Sequence, residues 1–279
     1  MTSEKRRQLE EMCLQFRNEL MDILHDIQTG HPGGSLSCTE ILTTLYFDLM
    51  RHDPKRPEME GRDRVILSKG HAAPMLYLNL AEAGYFPKED LKTLRQVGSH
   101  LQGHPCRHKT PGVELSTGPL GLGLGAGVGM ALGERLKGSD AYIYVLLGDG
   151  EINEGAVWEA AMAGAKYKTC RCIAILDHNG VQLDGTNDEI MPLGDLAAKW
   201  TAFGWNVITC ADGHDVEQVE SALFQAKGET ERPSVVICET VKGKGISFME
   251  GKSIWHGKAI GDAEYRQAKA ELEGGKSHG

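Results

Sequence analysis

From Leu9 onward the apolar residues Met12, Cys13, Phe16, Leu20, Ile23, Leu24 and Ile27 recur at intervals of three and four, the period of an amphipathic helix. The run Gly30-His31-Pro32-Gly33-Gly34 stops it. Ser37 and Glu40 then have the spacing of a capping box and predict a second helix carrying Ile41, Leu42, Leu45 and Leu49. Residues 64–68 (RVILS) read as a short buried strand and 72–83 as a helix, whereas 97–118, rich in Gly, Pro, His and Thr, is a long loop of the kind that often carries function. The run 141–147 (AYIYVLL) is an uninterrupted apolar strand ending in Gly148-Asp149-Gly150. A helix over about 154–167 and a second apolar strand, 172–176, lead to Asp177-His178-Asn179. Strands at 205–209 and 234–240, each preceded by a helix, and an exposed closing helix over 264–273 complete the plan. Continuous apolar strands alternating with helices predict one α/β domain over residues 1–279, an open, mostly parallel sheet with helices on both faces.

Composition agrees with a globular chain: 279 residues, 41% hydrophobic and 25% charged. The net charge of −9 comes without blocks of like charge, so nothing predicts a nucleic-acid partner. The seven cysteines (13, 38, 106, 170, 172, 210, 238) are scattered without disulfide spacing, which predicts a reducing, cytoplasmic setting. The charged amino terminus lacks a secretory pattern. Residues 115–133 form the longest uncharged run, but their glycines and Pro119 make them too weakly apolar for a membrane span, and no membrane partner is expected.

In an open parallel sheet, ligands collect beyond the carboxyl ends of the strands, where Asp149 and Asn179 both fall. They lie thirty positions apart, one strand-helix-strand unit, and converge if their strands are neighbours. A carboxylate and an amide oxygen are hard donors suited to magnesium, which completes its shell with phosphate oxygens and water. The glycines around Asp149 allow a diphosphate to approach, and the start of the helix near Glu154 offers unpaired N–H groups. Gly-Asp-Gly is also a common turn, and the strand context is what raises its meaning. No His-Glu-x-x-His or Cys/His pair has zinc-ligand spacing. Gly121, Gly125, Gly129 and Gly133 recur every four residues and predict a smooth helix face for close packing against a helix or a ligand. A relaxed dinucleotide fingerprint at Gly121, Gly123 and Ala126 follows no strand and is discounted.

The segments QTGHPGGSLS, LSKGHAAPMLY, GHP at 103–105, LSTGPLGLGLGAGVGMA, GDGEINEGAVWEA and KGKGISFMEGKSIWHGK occur in this order over nearly the whole chain. The series resembles the amino-terminal, diphosphate-binding half of transketolase, a thiamine-diphosphate enzyme. The resemblance implies a metal (magnesium, or calcium or manganese) held by Asp149, Asn179 and the carbonyl of Val181, with Gly150 and Glu151 beside the diphosphate. It implies that Gly118 and Leu120 contact the aminopyrimidine side of the cofactor. It also implies that His31, His71, His104 and His256 line the cavity, His71 and His256 on the cofactor and His31, His104 and His256 on the sugar. Imidazoles suit that work, because they donate and accept near neutral pH. By the same resemblance Glu154 joins a carboxylate network across a subunit interface, to which Glu159 contributes. Lys258 and Lys69 would supply positive charge near substrate or diphosphate. His25, His52, His108, His178, His214 and His278 are expected to satisfy loops or sit on the surface, and His100 is open between the two.

In transketolases the glutamate that activates the cofactor's pyrimidine lies on a second domain, and the pyrimidine-binding and carboxyl-terminal domains are expected to be missing from 1–279. The intact motifs favour a split enzyme over a deletion product. The implied activity is reversible transfer of a two-carbon ketol group between sugar phosphates, as one subunit of an α2β2 assembly with a carboxyl-terminal transketolase partner. Deoxyxylulose-phosphate synthase and the alpha subunit of a 2-oxo-acid dehydrogenase share Gly-Asp-Gly and Asn, and a non-catalytic cofactor-binding subunit is the alternative of another class.

Overall fold

Five strands build the sheet; four carry apolar residues over most of their length because both of their faces are covered, and the one at 206–210 is partly open to solvent. In the computed structural model, which describes residues 1–274, they are β1 (Arg64–Leu67), β2 (Ile143–Gly148), β3 (Cys172–His178), β4 (Asn206–Cys210) and β5 (Ser234–Glu239). They pair in the order β1-β2-β3-β5-β4, and every pairing is parallel. Alternate residues of one strand enter opposite cores. Tyr144, Leu146, Ile173, Ile175 and Val236 face one cluster, and Ile143, Val145, Leu147, Ala174 and Val235 face the other.

On the first face lie α1 (Ser3–Ile27), α4 (Ala73–Ala83), α9 (Val216–Gly228) and α10 (Asp262–Gly274), with the short α2 (Pro32–Leu36) and α3 (Thr39–Thr44). On the second lie α5 (Leu122–Leu136), α6 (Gly155–Lys166) and α8 (Leu196–Ala202), and α7 (Asn187–Ile190) sits in the loop after β3. The two helices expected at the amino-terminal end are present, but the glycine-rich stop between them is itself helical. Pro32 supplies a pre-set φ at the first turn of α2.

One local expectation fails and another holds only in part, for identifiable reasons. Ser37 and Glu40 do not form a capping box. The Ser37 hydroxyl donates to Asp177 (2.6 Å) and Gly34 O, while Glu40 turns to Arg17 and His214. Buried charges outbid a local cap, because an unpaired one costs far more than the cap is worth. The glycine row of α5 packs on a helix only at its start: an added Cβ would lie 2.7 Å from Glu154 Cβ at Gly121 and 3.8 Å from Ala160 Cβ at Gly125, both toward α6, but would meet nothing within 4 Å at Gly129 and Gly133. The close approach to the sheet is made by Gly123 and Gly127, where an added Cβ would lie 2.3 Å from Ser68 Oγ and 2.4 Å from Val145 Cγ2. Helix α5 thus lies directly on β1 and β2 by a second pair of glycines. No helix among the described residues is long and apolar enough to cross a membrane.

Candidate functional site

Strands β2 and β3 are hydrogen-bonded neighbours in a register that sets Gly148 beside Asp177, so Asp149 and the residues after His178 emerge at one edge. Asp149 is 3% exposed. Its Oδ1 accepts from Gly150 N (2.8 Å), and its Oδ2 accepts from Gly180 N (2.8 Å) and Asn187 Nδ2 (2.9 Å). Burial pushes its carboxyl above the usual range, and the neighbouring charge of Asp177 adds to the effect. No Lys, Arg or His nitrogen among the described residues makes a direct ion pair with it, although Lys242 and Lys69 act on it from a distance, so a cation at this position would meet a buried carboxylate without a contact partner. Asn179 donates through Nδ2 to Asp177 Oδ2 (3.0 Å), and its Oδ1 accepts only a long bond from Val181 N (3.3 Å). The Asn179 oxygen, the Asp149 carboxylate and the Val181 carbonyl therefore form a hard-donor set lining one cleft, and these residues fit a magnesium-held diphosphate.

Gly150, Glu151, Leu120 and His71 line the same cleft. Glu151, however, is spent on the protein: it accepts from Ser68 Oγ, Gly121 N (2.9 Å) and Gly148 N (3.0 Å), tying the loop before α5 to the end of β2. Gly118 lies against the His104 ring, and Gly34 is so near His71 that an added Cβ would stand 3.1 Å from its Nε2. Glu154 is exposed at the start of α6 and packs beside Gly121, and Glu159 is exposed on the same helix.

The four histidines expected to act together do converge. Ring centroids are 5.3 Å apart for His31–His71, 5.4 Å for His31–His256, 4.8 Å for His71–His256 and 6.5 Å for His31–His104. Burial is the main cause that holds all four imidazoles below their ordinary range, His31 to about 4 and His256 to about 3. Nearby cations add to it: Arg95 for His31 and His104, Lys69 for His71, and Lys242 for His256. Arg95 Nη2 stands 3.4 Å from His31 Nδ1, and Lys242 Nζ 3.0 Å from His256 Nδ1. A guanidinium or ammonium only donates, so both Nδ1 atoms accept and both rings carry their proton on Nε2.

His100, by contrast, turns to Asp90 (3.0 Å), His25 to Asp262 (2.9 Å), His52 to Tyr46 O (2.7 Å) and His178 to Glu239 (2.8 Å). His108 is exposed, and His278 lies outside the described residues. Lys258 does not line the cleft. Its Nζ bonds Glu264 (2.5 Å) and lies 4.5 Å from the Trp255 ring centre.

Three buried residues at the cleft were not anticipated from the sequence. Asp177 is fully buried and accepts from Lys69, Ser37, Thr240 and Asn179. Burial opposes the charge on Lys69, but Asp177 overrides it and keeps the ammonium protonated. Lys242 donates to Val181 O (3.1 Å), Gln182 O (3.2 Å) and His256, with burial lowering its ammonium to about 8. Asn187 steadies Asp149. Asp177 in the Asp-His-Asn triplet at a strand end and Lys242 in Lys-Gly-Lys-Gly were the available signals.

The histidine cluster has a consequence for acid stability. Unfolded imidazoles protonate near pH 6.5, while these remain neutral to about pH 4 and 3, so below 6.5 the unfolded chain binds more protons. Stability should fall as pH drops from 6.5 toward 4 and should not respond to this cluster above 6.5. A His31→Gln/His256→Gln variant is expected to flatten the slope by less than about 1.4 kcal/mol per pH unit for each ring, since both keep some solvent contact. Urea unfolding between pH 4 and 7 checks this, and equal slopes would contradict it.

Comparison with known proteins agrees with this geometry. Residues 10–276 match the family model described as transketolase, thiamine diphosphate binding domain. The chain is 41% identical to an apulose-4-phosphate transketolase subunit of Phocaeicola vulgatus, covering 92% of this chain and 90% of that protein. It is 43% identical to 6-deoxy-6-sulfo-D-fructose transketolase subunit SqwG of Clostridium sp. (strain MSTE9), covering 97% and 98%. Against transketolase 2 of Escherichia coli (strain K12) the identity is 37%, over 90% of this chain but 39% of that protein. The crystal structure of transketolase from Campylobacter jejuni superposes with a TM-score of 0.91 at 33% identity, over 98% of this chain and 43% of that one. Fold, strand-end donors and histidine cluster thus coincide with a match over nearly the full length, and the chain belongs to the transketolase thiamine-diphosphate-binding family.

Proposed function

We propose that this chain is the cofactor-binding subunit of a two-chain transketolase, which moves a two-carbon ketol group reversibly from a ketose to an aldose. The observation that carries the reading is the convergence of Asp149, Asn179 and the Val181 carbonyl at the ends of neighbouring strands, within one cleft shared with His71 and His256. Magnesium, or calcium or manganese, would sit on those three oxygens. Thiamine diphosphate, when bound, supplies a nucleophilic carbon and an electron sink for cleaving the carbon–carbon bond next to a ketone.

The work of this chain's own residues follows from their chemistry. His256 and His31, neutral and protonated on Nε2, donate hydrogen bonds from that atom, and His71 and His104 share the proton traffic of the sugar hydroxyls. Gly118 and Leu120 would shape the pyrimidine side, with Glu154 and Glu159 meeting a partner surface. Lys258 could contribute charge to substrate only by leaving Glu264. The pyrimidine-activating glutamate would come from a carboxyl-terminal partner in an α2β2 assembly. Relatives that align over most of their length are named as subunits, which supports this arrangement. Two of those names specify sugars with an anionic end, apulose 4-phosphate and 6-deoxy-6-sulfo-D-fructose, so we propose an anionic ketose in cytoplasmic sugar-phosphate metabolism of the pentose-phosphate type.

Mixing this chain with its partner, magnesium and thiamine diphosphate is expected to restore ketol transfer from a ketose phosphate and to leave pyruvate unused. Turnover of pyruvate instead would favour a synthase or 2-oxo-acid dehydrogenase reading. A mixture inert toward both donors would sink the proposal.

A further inference from the structure

The segment after β5 is held by a buried polar array outside the cleft. His214, in the turn between β4 and α9, lies between a carboxylate and a backbone amide. Its Nδ1 is 3.0 Å from Glu40 Oε2, and its Nε2 is 2.8 Å from Val241 N. An amide nitrogen can only donate, so Nε2 accepts and the ring proton sits on Nδ1, directed at Glu40. Glu40 is gripped in turn by Arg17, Nη1 to Oε1 at 2.6 Å and Nη2 to Oε2 at 2.9 Å, a fork-on-fork pair. The same guanidinium donates from Nε to Lys244 O (3.1 Å). Arg17 is 7% exposed and Glu40 4%.

The array therefore fastens the main chain at Val241 and at Lys244, one residue before Lys242 and two after it. The turn carrying His214 is pressed onto the end of β5, where Gly213 N donates to Glu239 O (2.7 Å) and an added Cβ at Gly213 would lie 2.5 Å from Thr240 Cγ2. Beyond Lys242, Gly243 N donates to Gly33 O (3.1 Å), with φ +81° and Met249 O too near for any side chain. Lys242 itself crosses into the cleft to reach the carbonyls of Val181 and Gln182 and the ring of His256. A four-carbon flexible stem would not hold one buried position without a fixed base, since its rotamer freedom opposes it.

We infer that Arg17, Glu40 and His214 are positioning residues for Lys242: they clamp the 241–244 backbone so that its ammonium holds the 181–182 carbonyls and the Nδ1 face of His256. The inference rests on the proposed cofactor site only in assigning Val181 and His256 their purpose. The clamp can be tested on the chain without cofactor or partner.

The test compares His214→Asn, too short to reach Val241, with His214→Gln, whose Oε1 can take the place of Nε2. Amide hydrogen exchange at Val241 and the acetylation rate of Lys242, by mass spectrometry, are the readouts, with circular dichroism to verify folding. The Asn variant is expected to exchange roughly tenfold faster at Val241, the scale of one lost hydrogen bond, and to label Lys242 several times faster. The Gln variant is expected to stay within about twofold of the parent at both positions. Parental exchange in the Asn variant, or equal acceleration in both, would overturn the inference. Should the Asn variant fail to fold, Arg17→Lys keeps a charge against Glu40 but drops the Lys244 contact. It should also expose Lys242 to faster acetylation, and an unchanged rate would overturn the inference equally. A normal clamp with no ketol transfer in the mixed halves would instead count against the proposed function.

Discussion

Replacing Asp149 with alanine is expected to abolish magnesium-dependent retention of thiamine diphosphate, an affinity loss of at least about 100-fold, and ketol transfer with it. Loss of a group that only orients a metal ligand typically costs 10–100-fold, and a direct ligand costs more. Asp149 is the sole carboxylate in the proposed donor set, and its burial leaves it poised for a cation. It also links the end of β2 to the loop after β3 through Gly180 and Asn187. Removing it therefore misplaces Asn179 and Val181 as well as deleting an oxygen. Three N–H groups would lose their acceptor, at about 1–3 kcal/mol to the cofactor-free fold for each one that water does not reach. Folding and binding should accordingly be measured apart, by urea unfolding and by calorimetric titration with cofactor at several magnesium concentrations. An unchanged affinity in a folded variant would reject the metal assignment.

The second large effect is on the fold. Asp177→Ala is expected to cost about 3–5 kcal/mol, the usual toll for stripping one partner from a buried ion pair. Lys69, 1% exposed, would be left with Gly34 O (2.7 Å) as its remaining partner, and Ser37, Thr240 and Asn179 would each lose an acceptor. Because isolated charges rather than lost attraction dominate this cost, Lys69→Met/Asp177→Leu should recover much of the stability. It should nevertheless bind cofactor poorly, since Asn179 would no longer be oriented. Urea unfolding of the three proteins checks the order, and a loss below about 1 kcal/mol in Asp177→Ala would show that the pair is not the keystone of this edge.

The legible parts of the fold were those written in local runs. The strand segments at 141–147 and 172–176 announce themselves by continuous apolar residues, those at 64–68, 205–209 and 234–240 by shorter apolar cores that fit the same strand-helix plan, and the loop at 97–118 by its glycines and prolines. The wholly parallel sheet exceeded the expectation of a mostly parallel one. Asp149 and Asn179 were legible because a strand end followed by a small polar turn places them at the ligand edge. The four converging histidines were legible only through the ordered motifs, because no spacing along the chain brings residues 31, 71, 104 and 256 together.

What could not be read was which polar side chains pair inside. Ser37 and Glu40 had a cap's spacing and formed no cap, since Asp177, 140 residues away from Ser37, and Arg17 needed them more. Lys258, beside a histidine motif, points to Glu264, whereas Lys242, equally ordinary in sequence, enters the cleft. Glycine spacing pointed to the row that meets α6 at Gly121 and Gly125, and gave no sign that Gly123 and Gly127 would seat α5 on the sheet.

The alternating strand-helix order and the strand-end positions of Asp149 and Asn179 were thus determined by the sequence alone, because periodicity expresses local backbone and solvation preferences, and the family was carried by the ordered motifs. The Lys69–Asp177 pair, the Nε2 protons of His31 and His256, and the clamp on Lys242 were decided only by the tertiary structure. Their energies come from burying charges that meet across the fold, and no local pattern encodes which ones will meet.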